Sequence, residues 1–156
     1  MKSILFKVLI VVFAIFIVLQ FFGVDKTVPD TDPSADFLNI HEPPGNVESI
    51  FRSACYDCHS FETTYPWYSN IQPVAWWLQD HINEGREEMN LSTWQDYTAE
   101  DADHYLEEMI EVVDEEEMPL PSYTWAHSEA RLTDQERDAL TDWVSKLRSS
   151  MQQNSE

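Results

Sequence analysis

The two cysteines of the chain lie three positions apart and are followed directly by a histidine, in the sequence Cys55-Tyr56-Asp57-Cys58-His59. Side chains three positions apart lie on one side of a helical turn, so both thiols can add to the two vinyl groups of one haem. His59 is then placed below the iron. The spacing predicts covalent attachment of one haem c, with Cys55, Cys58 and His59 as cofactor-binding residues and His59 as a ligand of the iron.

Two other interpretations of these cysteines are open. A redox CxxC motif is typical of a thioredoxin-like βαβ unit, which the sequence does not predict, and a disulfide would leave His59 without a role. Zinc would require both thiolates, His59 and one further histidine, which could be His81, His104 or His127. No recurring spacing favours any of these three, so haem is the preferred interpretation.

The sixth iron ligand predicted from the sequence is Met118, in the segment Glu117-Met118-Pro119-Leu120-Pro121. The prolines remove backbone donors and hold the loop extended, which can keep a thioether in one place. Met109 lies on an apolar helical stripe and Met89 lies near a helix end, so both are assigned to the core. Four histidines are alternatives for the same position, namely His41, His81, His104 and His127.

An apolar run over residues 4–24 contains a single charged side chain. As a helix at about 1.5 Å a residue it would span about 31 Å, the thickness of a bilayer's hydrocarbon. It ends in bulky Phe21 and Phe22 rather than a small-residue cleavage site, so we expect an uncleaved transmembrane helix and a membrane anchor over residues 1–24. Lys2 and Lys7 lie at the start of this segment and acidic residues follow it. This predicts a single-pass protein of the plasma (inner) membrane, with the haem domain in the periplasm or at the cell exterior.

The remainder of the chain divides by composition into three parts. Residues 25–45 contain four prolines, which predict a semi-rigid linker. Residues 46–148 carry apolar side chains at helical spacing and none of the alternation typical of strands. We therefore predict an all-α haem-binding domain over 46–148, followed by a polar tail over 149–156.

Capping signals predict where the helices of this domain begin and end. Asn46 is a good N-cap, and Pro73 suits the first turn of a second helix that Gly85 would end. Thr98 and Thr133 each precede an acidic residue by three positions and so predict capping boxes.

The net charge of the chain indicates which classes of macromolecule it can bind. The chain has 29 acidic and 9 basic residues, a net charge of -20, whereas proteins that bind nucleic acid need clustered Lys and Arg. We therefore expect no nucleic-acid partner. Seven acidic residues between positions 107 and 117 lie directly before Met118. They could steer a basic redox protein toward the haem edge, or form only a solvated face.

The motifs together carry a family resemblance. The Cys55–His59 motif, Met118-Pro119 and a C-terminal helix with Leu140 and Trp143 resemble a class I cytochrome c. The chain also resembles, more narrowly, the bacterial haem-binding-domain family of membrane-anchored cytochromes, through Thr64-Tyr65-Pro66-Trp67-Tyr68-Ser69, Trp76-Trp77, Glu84-Gly85-Arg86 and Met118-Pro119-Leu120. The resemblance implies a cytochrome c-like fold for residues 46–148, covalent haem c, His59 and Met118 as axial ligands, and electron transfer.

An electron carrier rather than an enzyme is the function that we expect, because two filled axial positions leave the iron no open site. A haem peroxidase or gas sensor is an alternative, and it would require a labile sixth ligand. A haem-containing assembly module of a respiratory complex is a third interpretation, which the anchor and the acidic face permit.

Overall fold

The computed structural model describes residues 2–154, and within them the chain forms helices and no strand, which confirms the all-α prediction. The α-helices are α1 (Lys2–Leu19), α2 (Phe37–His41), α3 (Gly45–Ala54), α4 (Tyr56–His59), α5 (Val74–Glu88), α6 (Ala99–Asp114), α7 (Pro121–Thr124) and α8 (Asp134–Asn154). Short 3₁₀ helices lie at Pro33–Ala35, Trp67–Asn70, Leu91–Asp96 and Ser128–Ala130.

The transmembrane helix expected over residues 4–24 was wrong. The apolar run forms α1, but this helix ends at Leu19, and the chain then turns through backbone bonds such as that from Gln20 N–H to the Ile17 carbonyl. The side-chain amide of Gln20 donates to the Phe16 carbonyl at 2.9 Å. Side chains often bind the last carbonyls of a helix in this way, because those carbonyls have no partner within the helix. In the described part of the chain, no helix is both long enough and apolar enough to cross a membrane.

The chain after α1 is tied to the beginning of α5. The side-chain amide of Gln20 donates to the Gln72 carbonyl at 3.1 Å, and its oxygen accepts from Gln72 N–H at 3.0 Å. The Phe22 carbonyl accepts two further bonds, one from the side chain of Gln72 at 2.7 Å and one from the Trp76 indole at 2.8 Å.

The predicted linker contains α2, which packs into the core. Asp36 caps this helix, because its carboxylate accepts from the N–H groups of Leu38 and Asn39. The side chain of Phe37 is completely buried. Its ring lies 4.7–5.9 Å from the rings of three core residues, namely Phe51, Trp94 and Trp143. Burial of an aromatic side chain stabilises by roughly 1.5–3 kcal/mol, which favours a packed segment over an extended spacer.

Helix α8 organises the core by packing against both α6 and α3. Leu106, Leu140 and Val144 are fully buried between α6 and α8. Phe51 of α3 meets Trp143 of α8 edge to face, with ring centroids 6.0 Å apart. Helices α3, α6 and α8 therefore enclose the apolar centre.

The capping signals predict some helix ends and miss others. The capping boxes at Thr98 and Thr133 are both present. The N-cap at Asn46 was wrong, because α3 begins at Gly45 without a side-chain cap. The stop at Gly85 was also wrong, since this glycine lies inside α5. Helix α8 continues to Asn154, into the residues predicted as a tail.

We predict that Phe37→Ala lowers the free energy of unfolding of the haem-loaded protein by about 3–5 kcal/mol, because it empties a fully buried site. Denaturant titration measures this change. Phe21→Ala is the matched control: Phe21 is 83% exposed, and its removal is expected to cost less than about 0.5 kcal/mol. Equal losses for the two variants would contradict the packing of α2 into the core.

Candidate functional site

A cavity of about 530 Å³ is bordered by α4, α5, α6 and the segment that follows α6. Its volume lies in the range of ~300–1,000 Å³ that is usual for small-molecule and cofactor sites. Cys55, Cys58, His59 and Met118 all line it. Most of the remaining wall is apolar and includes Ala54, Met89, Met109, Val113, Leu120 and Leu132. The structure therefore brings the four residues predicted from the sequence to one largely apolar cavity.

The two thiols are carried by a tight turn, with Cys55 between α3 and α4 and Cys58 in the single turn of α4. The N–H groups of Cys58 and His59 both donate to the carbonyl of Cys55, at 3.2 and 2.9 Å. Burial raises the pKa of the Cys58 thiol to about 11 and that of the Cys55 thiol to about 12. Zinc is bound by thiolates, so its binding here would have to release a proton from each of the two thiols. Among residues 2–154, no group of three or more His, Cys, Asp or Glu side chains is arranged to hold a metal ion.

The imidazole of His59 is oriented by the end of α5. Its Nδ1 lies 3.2 Å from the Met89 carbonyl, and because a carbonyl only accepts, Nδ1 carries the proton and donates it. Burial lowers the pKa of His59, which also favours the neutral ring. The lone pair is then on Nε2. A neutral imidazole with its Nδ1 bound to a carbonyl is the usual form of a metal-ligating histidine.

Gly85 allows α5 to approach this turn closely. A Cβ atom at position 85 would lie 3.0 Å from the carbonyl oxygen of Cys58 and 3.3 Å from its carbonyl carbon. Few real Cβ contacts are as short, so a side chain here would push α5 and the cysteine turn apart. We did not identify this role from the sequence. The available signal was a glycine within the helical pattern of α5, which is more often a sign of close packing than of a helix end.

Side chains from two other elements hold the cysteine–histidine motif and the segment that follows it. Arg86 of α5 donates to the Ser60 carbonyl and to the Thr63 hydroxyl, both at 2.8 Å. The hydroxyl of Tyr123 in α7 donates to the Asp57 carboxylate at 2.6 Å. The motif is therefore bound on one side by α5 and on the other by α7, which follows Met118 in the chain.

Met118 lies beyond the end of α6 and not within a helix. Its N–H donates to the Val112 carbonyl at 2.9 Å. Glu116 has a φ of 60°, in the left-handed region, and this conformation turns the chain back toward α6. Met118 is thus held beside the cavity by a reversal of the backbone.

Of the four alternative histidine ligands, all in the described part of the chain, only His81 lines the cavity. Its Nδ1 lies 3.0 Å from the Trp77 carbonyl of the same helix. The other three have different neighbours: His41 packs on Phe37 and Trp94, His104 pairs with Glu108, and His127 bonds to the Tyr68 hydroxyl at 2.6 Å.

Carboxylates also border the cavity. Glu84 and Glu88 of α5 and Glu108 of α6 line it, and all three side chains are exposed. Glu108 belongs to the acidic run that the sequence analysis singled out. The exposed edge of the cavity therefore carries negative charge.

An apolar cavity lined by cysteine, histidine and methionine side chains is the kind of site that holds a haem in an all-α protein. The haem-binding domain family matches residues 14–146 of the chain, which is more than half of its 156 residues. The chain belongs to this haem-binding family. Comparisons with curated proteins and with solved structures found no match.

We predict that Gly85→Val lowers the free energy of unfolding by about 1–3 kcal/mol more than Gly45→Val does, because only the first side chain meets backbone atoms. Denaturant titration and haem content per polypeptide measure the effect. Gly45 is a suitable control, since nothing lies within 4 Å of a Cβ atom built there. Equal stability and haem content in the two variants would contradict the close approach of α5 to Cys58.

Proposed function

We propose that this haem-binding protein holds a single haem covalently, through thioether bonds to Cys55 and Cys58, and that it transfers electrons. His59 and Met118 are the two axial ligands in this proposal. The observation that carries it is the meeting of these four side chains at one cavity.

The chemistry of attachment is balanced within the site. Each thiol adds its sulfur to one carbon of a vinyl group and its hydrogen to the other, so nothing leaves and no oxidant is consumed. Both thiols line the cavity, three positions apart in the chain, and burial favours the protonated form that supplies this hydrogen. The largely apolar wall suits a large planar macrocycle better than a hydrated metal ion.

Bound haem supplies an iron that gains or loses one electron. In this proposal His59 and Met118 would hold the iron on both sides. His59 presents Nε2 because its Nδ1 is bound to the Met89 carbonyl. Met118 contributes a thioether, and methionine–histidine ligation raises the reduction potential of haem iron. With both positions filled, outer-sphere electron transfer is favoured over catalysis at the iron.

The location of Met118 and His81 favours methionine as the sixth ligand. His81 lies on α5, the same helix that supports His59 through the Met89 carbonyl and that contacts Cys58 through Gly85. Met118 lies on a separate segment between α6 and α7. A ligand on a different segment from the one that supports His59 is the better candidate for the opposite face of the haem.

We predict that the ferric protein has a weak sulfur-to-iron charge-transfer absorption, and that Met118→Ala abolishes it because the thioether is lost. The absorption spectrum of the haem-loaded protein measures it. Met109→Ala is the matched control, since Met109 also lines the cavity but lies on the apolar face of α6. Persistence of the band in Met118→Ala, or a bis-imidazole spectrum that His81→Ala removes, would contradict the assignment of Met118.

The carboxylates at the edge of the cavity suit a basic redox partner. Glu84, Glu88 and Glu108 are exposed there, and opposite charge raises the rate of encounter at low salt. A partner with lysine or arginine side chains around its own redox centre would approach the haem at this edge.

We predict that reduction by a basic cytochrome slows steeply as ionic strength rises, because salt screens attraction between exposed charges. Stopped-flow measurement gives the slope of this dependence. Changing Glu84, Glu88 and Glu108 together to Gln is expected to flatten it. The matched control changes three exposed glutamates outside the cavity wall, namely Glu42, Glu87 and Glu100. The same slope in both triple variants would contradict docking at this edge.

A further inference from the structure

An arginine of α8 binds the backbone on the C-terminal side of Met118. Nη1 of Arg137 donates to the Met118 carbonyl at 3.0 Å and to the Val113 carbonyl, in the last turn of α6, at 2.6 Å. The N–H of Met118 is itself bound to the Val112 carbonyl at 2.9 Å. The peptide groups on both sides of Met118 are thus held, one by α6 and the other by α8.

The partners of Arg137 are backbone carbonyls, although the chain has 29 acidic residues. Arg52 and Arg148 pair with carboxylates in the ordinary way, at distances of 2.8–3.3 Å. Within residues 2–154, Arg137 has no carboxylate oxygen within 4.0 Å, and its guanidinium is half-buried against backbone carbonyls instead. A cation at the end of a helix satisfies carbonyls that have no partner within that helix.

The segment around Met118 needs such a tether. Helix α6 ends at Asp114, and the chain reverses through Glu116, so no helical bonds hold Met118. Pro119 has no N–H to donate. The segment is therefore fixed by few bonds, of which the one from Arg137 is charge-assisted and among the stronger kinds of hydrogen bond.

We propose that Arg137 is a positioning residue that holds the Met118 thioether at the haem iron. The inference rests on the proposed ligation of the iron by Met118. Arg137 bridges the last turn of α6 and the Met118 peptide, so the side chain of Met118 leaves the backbone from a fixed point on the cavity wall. Without the bridge, the segment samples positions in which the sulfur is away from the iron, and external ligands compete more effectively.

Titration of the ferric, haem-loaded protein with imidazole tests this, because imidazole must displace the thioether and the loss of the sulfur-to-iron absorption reports its binding. Arg137→Gln is expected to bind imidazole about tenfold or more tightly than the wild type, since loss of a charge-assisted hydrogen bond is typically worth a factor of this size. Both bonds of Arg137 come from Nη1, and Arg137→Lys keeps a cation on a shorter side chain, so an intermediate affinity is expected.

Arg148→Gln is the matched control. Arg148 lies on the same helix, and it also bridges α8 to α6, through Asp103 and Glu107, but it does not contact the Met118 segment. Removing the charge of Arg148 changes the net charge by the same amount as removing that of Arg137, and it also weakens the contact between α6 and α8. Arg148→Gln is expected to bind imidazole as the wild type does. Circular dichroism of each variant reports whether the helices are intact.

The outcomes separate the inference from the proposal on which it rests. A wild-type protein without the sulfur-to-iron absorption overturns the ligation by Met118, and the role of Arg137 with it. A wild type with the absorption, and equal imidazole affinities in Arg137→Gln and Arg148→Gln, overturns the role of Arg137 alone. If Arg137→Gln does not fold, the imidazole affinity of Arg137→Lys decides. An affinity equal to that of the wild type counts against the inference, and a higher affinity supports it.

Discussion

The haem site depends on how closely α5 approaches the turn that carries the two cysteines. Gly85 permits this approach, because any side chain there would meet the backbone of Cys58. The same approach brings the end of α5 near enough for the Met89 carbonyl to bind Nδ1 of His59. One short helix–turn contact thus orients the imidazole and sets one wall of the cavity. The geometry of the proposed ligand follows from backbone packing more than from the motif itself.

Arginines fix the segments around the cavity, although the chain as a whole is strongly acidic. Arg86 binds the segment after His59, and Arg131 donates to the Thr124 carbonyl at the end of α7. Arg137 binds the Met118 peptide. Each donates to a backbone carbonyl, so these three arginines stabilise irregular segments near the cavity. The three carboxylates that line the cavity are exposed at its edge.

The features that could be predicted from the sequence are those set by residues close together in the chain. The cysteine–histidine spacing, the capping boxes at Thr98 and Thr133 and the helical stripes lead to the all-α fold and to the residues that meet at the cavity. Contacts between distant segments are not visible in this way. The burial of Phe37 depends on three aromatic rings from elsewhere in the chain, and the role of Gly85 depends on the position of Cys58. The transmembrane helix was expected from hydropathy alone, which does not show where α1 ends.

The central claim is that the haem of this haem-binding protein is bonded to the chain. The mass of the intact polypeptide, measured after denaturation and acid–acetone extraction from cells that mature c-type cytochromes, tests it most directly. We expect the mass of the chain plus one haem, with the haem retained on a peptide that contains Cys55 and Cys58. An unmodified polypeptide, with the haem in the extract, would contradict covalent attachment.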